Sequence, residues 1–155
     1  MTSTTPTETT PALPRALAAL REDFLELEVP DRLQLLLELS RGLPELPERY
    51  LLHPGLLEKV EECQSPVRVL AEVSGDRVHL VAAAPPEAPT TRGFAAILTE
   101  GLEGASTAEV LAVPDDFPFT IGLTAAITPL RLHGMTGMLA RIKRQVRDHL
   151  ALTAS

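Results

Sequence analysis

A chain of 155 residues, 45% of them hydrophobic, can bury a proper core as one domain. Its 14 basic residues stand against 21 acidic ones, for a net charge of −7, and aromatics are only 3%. That removes both the basic footprint and the stacking platforms expected of nucleic-acid binders.

Residues 1–11 are rich in Thr and Pro and read as a disordered tail, neither a secretory signal nor a transit peptide. The domain is expected over 12–150, with 151–155 a flexible C-terminus. Leu13, Leu17, Leu20, Phe24 and Leu27 recur at helical spacing, with Pro14 suited to a first turn. Pro30 opens a second helix to about Ser40, its Leu33, Leu36 and Leu37 on one face and Gly42 as its stop. Leu43-Pro44-Glu45-Leu46-Pro47 is too proline-rich for a helix and reads as an ordered connector.

The period then changes to two. Val67, Val69, Ala71 and Val73 alternate with Arg68, Leu70 and Glu72, as in a half-buried strand. Ser74-Gly75-Asp76 supplies a turn, Val78, Leu80 and Ala82 return, and Pro85-Pro86 end the hairpin. Leu57 to Val60 is a candidate for a further short strand. Helical spacing resumes at Phe94, Ile97, Leu98 and Leu102, and Ser106 with Glu109 forms a capping box. A last helix runs from Thr128-Pro129 to about Leu150, with Met135, Met138, Leu139, Ile142 and Val146 as its buried stripe. This order predicts an α+β fold, with helices packed on a small antiparallel sheet. No apolar run approaches the ~20 residues of a membrane span.

Cys63 is the sole cysteine, so it can form no internal disulfide and cannot by itself ligate an iron–sulfur cluster. With no export signal it points to a reducing cytosol. Free cysteine is commonly a small buried hydrophobe. Here, however, Glu61-Glu62 precede it, Gln64-Ser65 follow and Pro66 blocks a helix, which describes a polar bend ahead of a strand. The flanking acids disfavour a thiolate, so the thiol needs shelter or a nearby cation. Arg131 is the candidate cation. It falls in the first turn of the last helix, where the macrodipole favours anions, so two readings stand: a solvated arginine, or part of a cradle for a thiolate or persulfide.

The histidines at 53, 79, 133 and 149 show no metal-ligand spacing, and a pair of Cys63 with His53 or His133 has no nucleophile motif behind it. His79 reads as a strand side chain and His149 as a solvated helix end. Arg141-Ile142-Lys143-Arg144, with Arg147, reads as the solvated face of the last helix, or else as a patch for an acidic partner.

Leu43-Pro44-Glu45-Leu46, then Cys63-Gln64-Ser65 before a strand, then Ile127-Thr128-Pro129-Leu130-Arg131-Leu132-His133-Gly134 together resemble the SufE family, over roughly residues 14–150. The resemblance implies the IscU-like fold that this family shares, with the reactive thiol on a loop. It implies that Cys63 accepts sulfane sulfur as a persulfide and that Arg131 is the arginine of the family's Thr-Pro-x-Arg. Glu87 falls where the family often carries Asp. The implied partners are a SufS-like cysteine desulfurase and a downstream Fe–S scaffold, and the chain needs no cofactor of its own, because the pyridoxal phosphate belongs to the desulfurase. It would act as a cytoplasmic sulfur-transfer partner, monomer or homodimer, rather than a stand-alone enzyme. The alternative is a non-catalytic allosteric regulator of a desulfurase. Two departures stand out: Glu62 replaces the glycine that usually precedes the cysteine, and Ala126 stands where some members have His.

Overall fold

The computed structural model describes residues 13–154; the tail expected over 1–11 lies outside them. Helix α1 (Arg15–Glu26) buries Leu17, Leu20 and Phe24, one stripe at three- and four-residue spacing. Helix α2 (Val29–Arg41) starts with Pro30 in its first turn. It ends at Gly42, whose N–H returns to the carbonyls of Leu39 and Ser40.

The face of α2 differs from the expected one. Leu36 and Ser40 are buried, with Leu35 and Leu39 packed at the core edge, while Leu33 is exposed. The reason lies on α4 (Pro89–Leu102), against which α2 packs. Gly93 there leaves a bare patch that Leu36 fills: a methyl group at Gly93 would stand 2.7 Å from Leu36 Cδ1. The close approach sets the helix rotation, which leaves Leu33 on the exposed side.

The connector after α2 leads to a short helix α3 (Glu48–Leu52) and into an antiparallel sheet of order β1-β2-β3. These strands are β1 (Glu58–Lys59), β2 (Arg68–Ser74) and β3 (Arg77–Ala83). Register pairs Val69 with Ala82, Ala71 with Leu80 and Val73 with Val78. Because side chains alternate, Val69, Val78, Leu80 and Ala82 enter the main core under the helices. Val81, with Leu70 and Ala83 beside it, faces the other way onto Tyr50 and Leu57, a smaller second cluster. His79 is an exposed strand side chain, with Nδ1 2.8 Å from Glu103.

Helix α5 (Thr107–Ala112) carries the expected capping box. Ser106 Oγ accepts from the Glu109 N–H at 3.0 Å, and the Glu109 carboxylate accepts from the Ser106 N–H at 2.8 Å. Helix α6 (Pro129–Ala154) buries Met135, Met138, Leu139, Ile142 and Val146 as expected. It runs beyond Leu150 to Ala154, where a flexible C-terminus over 151–155 is expected from the sequence.

Its basic run is not one solvated face. Lys143 is 7% exposed and donates from Nζ to Val113 O and to Asp115, each at 2.7 Å. Lys143 lies beside Ile142 on the core side of α6, and the segment after α5 brings these two acceptors to it. Arg141 is also mostly covered, leaving Arg144 and Arg147 exposed. No helix among the described residues is long and apolar enough to cross a membrane.

Candidate functional site

Strand β1 turns into β2 through a tight loop. Its base is closed by the Val60 N–H donating to Val67 O at 2.9 Å, and both valines are wholly buried. Inside that clasp the Cys63 N–H donates to Val60 O at 3.2 Å, which bends the chain and turns the side chain toward α6. The sulfur rests on bare helix backbone: a methyl group at Gly134 would come within 2.9 Å of Cys63 Sγ. One turn further along the same face, Gly137 lies under the Glu62 side chain, where a methyl group would meet Oε1 at 2.5 Å.

Cys63 is half-buried. Burial pushes its thiol up to about 11, Glu62 pushes the same way, and Arg141 opposes both. At neutral pH the thiol therefore stays protonated. Desolvation, ahead of the acidic neighbours invoked from sequence, is the first cause, and the acid that contributes is Glu62.

The sulfur looks into an open cleft of about 540 Å³ that Glu87 and Arg131 also line. Both of these side chains are exposed. Two helices begin there. Ala88 offers α4 no side-chain cap, and Thr90 and Thr91 of its first turn line the cleft. Thr128 Oγ1 accepts from the Arg131 N–H at 3.4 Å at the start of α6, beside the exposed Leu130. Helix starts carry unpaired N–H groups and partial positive charge, so this end of the cleft favours an anion. The fold therefore gathers Cys63, Glu87 and Arg131 from separate stretches of chain.

The histidines do not join them. His133, although in the first turns of α6, packs edge-on against Phe119 with ring centroids 5.8 Å apart, and neither it nor His53 lines the cleft. Ala126 packs at the core edge. No group of three His, Cys, Asp or Glu able to hold a metal occurs among the described residues.

Sequence reasoning missed Arg141. Its Nη1 donates to Glu62 Oε1 at 2.5 Å and to Gly137 O at 3.2 Å, and Glu58 Oε2 lies 3.5 Å from its Nε. The available signal was the spacing Gly134, Gly137, Arg141, which puts two bare positions and a guanidinium on one helix face. Reading 141–147 as a single basic block hid it.

The Fe–S metabolism associated domain of the SufE family matches residues 18–146. A SufE-like protein of Mycobacterium tuberculosis is 51% identical over 142 residues, covering 90% of this chain and 98% of its own length. A SufE-like protein of Rhizobium meliloti is 29% identical over 139 residues, or 87% of this chain. The solution structure of a hypothetical protein from Thermus thermophilus superposes with TM-score 0.79 at 42% identity, over 90% of this chain and 99% of that one. With its helices on a three-stranded antiparallel sheet and this match along nearly all its described length, the chain belongs to the SufE family, the Fe–S metabolism associated domain.

Proposed function

We propose that this protein accepts sulfur from a cysteine desulfurase and activates it, carrying sulfane sulfur as a persulfide on Cys63 for Fe–S cluster assembly. The observation that carries the reading is the placement of the lone thiol, half-buried at a cleft where two helices start and Arg131 stands. That setting partly shelters the thiol from bulk solvent and offers an anion partial positive charge.

The transfer is an exchange of the thiol–disulfide type. Cys63 gives up its proton as the partner docks, and its thiolate attacks the terminal sulfur of the partner's cysteine persulfide. A new S–S bond forms on Cys63, the partner's S–S bond breaks, and the partner's cysteine leaves as a thiolate that takes up a proton. No electrons are gained or lost overall. Arg131 and the first turns of α4 and α6 stabilise the sulfur anion on this side, while Glu87 supplies a polar rim. A downstream Fe–S scaffold takes the sulfur by a second exchange. The cytoplasm is the compartment we assign, because a reducing environment keeps a lone thiol free.

The test is intact mass after incubation with a desulfurase and cysteine. The wild-type protein should gain sulfur and Cys63→Ser should gain none, since a hydroxyl cannot hold a sulfane sulfur. Sulfur on the serine variant would sink the carrier reading. A serine variant that still stimulates the desulfurase in full would favour the non-catalytic regulator.

A further inference from the structure

Few hydrogen bonds hold the loop that carries the thiol to the rest of the protein. Over residues 61–66, the ion pair from Glu62 to Arg141 is the one side-chain hydrogen bond among the described residues, joined by the single backbone bond from Cys63 to Val60. The two halves of that pair are unequally placed. The Arg141 side chain is 17% exposed and that of Glu62 44%. Arg141 Nε is buried without a hydrogen bond, although Glu58 lies near, so the grip on the loop rests on Nη1. The Glu62 carboxylate in turn lies flat on α6 only because Gly137 has no side chain.

We propose that Arg141 is a positioning residue for Cys63: its guanidinium holds Glu62 against α6 and so keeps the thiol turned inward, until a partner protein bearing its own cation takes Glu62 over. The partner chemistry follows from the exposures. The half within a partner's reach is an anion, so the group that competes for it is a partner's Arg or Lys. Once Glu62 is drawn off, the loop keeps no side-chain hydrogen bond, only the packing of Cys63 on α6, and Arg141 loses the carboxylate nearest to it. The same event thus frees the sulfur to move outward and leaves a cation beside it. A glycine at position 62, as the family usually carries, would have no such latch.

This inference rests on the proposed carrier reading for its purpose, but its test needs no desulfurase. The full-length wild type, Arg141→Met and Glu62→Gln are compared by the rate of Cys63 alkylation with iodoacetamide at pH 8 and by amide hydrogen exchange at Cys63. If Arg141 served only as a counter-ion to the thiolate, Arg141→Met would slow alkylation. The latch predicts the opposite sign, an acceleration of about fivefold, the size a partly screened ion pair supports. Added salt, which weakens the ion pair, should accelerate the wild type more than either variant.

Removing the Glu62 charge speeds alkylation by either route, so in Glu62→Gln the deciding readout is the Cys63 amide, which should exchange about fivefold faster on the same scale. Slower alkylation in Arg141→Met, or unchanged exchange at Cys63 in Glu62→Gln, overturns the proposal. Should Arg141→Met fail to fold, the exchange result in Glu62→Gln decides alone. Persulfide loading of the wild type is measured separately: its absence would remove the carrier reading and leave the latch standing.

Discussion

Cys63 combines a nucleophile's identity with a setting that keeps it protonated. Its thiol is raised from the ordinary 9.0 to about 11, first by burial and then by Glu62, so the folded state binds a proton more tightly than the unfolded chain. The sign of the linkage follows. Between pH 9 and about 11 the unfolded cysteine ionises first, the native state holds more protons, and stability falls as pH rises. Below pH 9 both states are protonated and the contribution is flat. Cys63→Ser, which has no thiol to ionise, should therefore gain stability relative to wild type between pH 8 and pH 10.5 in urea unfolding. The comparison cancels the tyrosine and lysines that titrate in the same window. A constant difference between the two proteins across that range would show that the sulfur is not held in a desolvated place.

At the scale of elements, α4 and α6 do the positioning, and each does it through glycine. On α4, Gly93 receives Leu36 so closely that an added methyl would stand 2.8 Å from the Leu36 carbonyl oxygen as well as from its side chain. A backbone oxygen cannot step aside like a flexible side-chain end. Gly93→Ala should therefore push α2 away from α4 and destabilise the fold by about 1–3 kcal/mol, despite alanine's better helix propensity. Thermal or urea melts check this, and an unchanged or raised midpoint would contradict the packing. On α6, Gly134 and Gly137 give the Cys63 loop its seat, while Arg141 on the same face tethers it. The longer helices were legible from local pattern, and the capping box at Ser106 and the Met135 to Val146 stripe stand as read, whereas the short α3 was not seen. The rotation of α2 was not legible, because five leucines between Leu33 and Leu39 satisfy several helical faces equally and only the hole at Gly93 selects Leu36.

For the molecule as a whole, the consequence is a cleft assembled from three distant stretches, the Cys63 loop and the starts of α4 and α6. Arg131 stands exposed in it with no core contact to lose, so Arg131→Ala should slow persulfide formation on Cys63 several-fold while leaving the melting temperature within about a degree, as expected of a surface change. Stopped-time mass analysis beside thermal melts separates the two, and unchanged transfer would return Arg131 to an ordinary surface role. By itself, the sequence determined the α+β class, the hairpin and its turn, the family, and Cys63 as the residue to watch. Those follow from short-range periodicity, turn chemistry and motif spacing, which act between near neighbours in the chain. Only the tertiary structure decided that Arg141 and Lys143 leave the solvated face. It alone also decided that burial outweighs the acids at the thiol, and that Glu62 lies tied across Gly137. Each of these depends on partners 28 to 79 residues away, whose approach is set by packing and has no local signature.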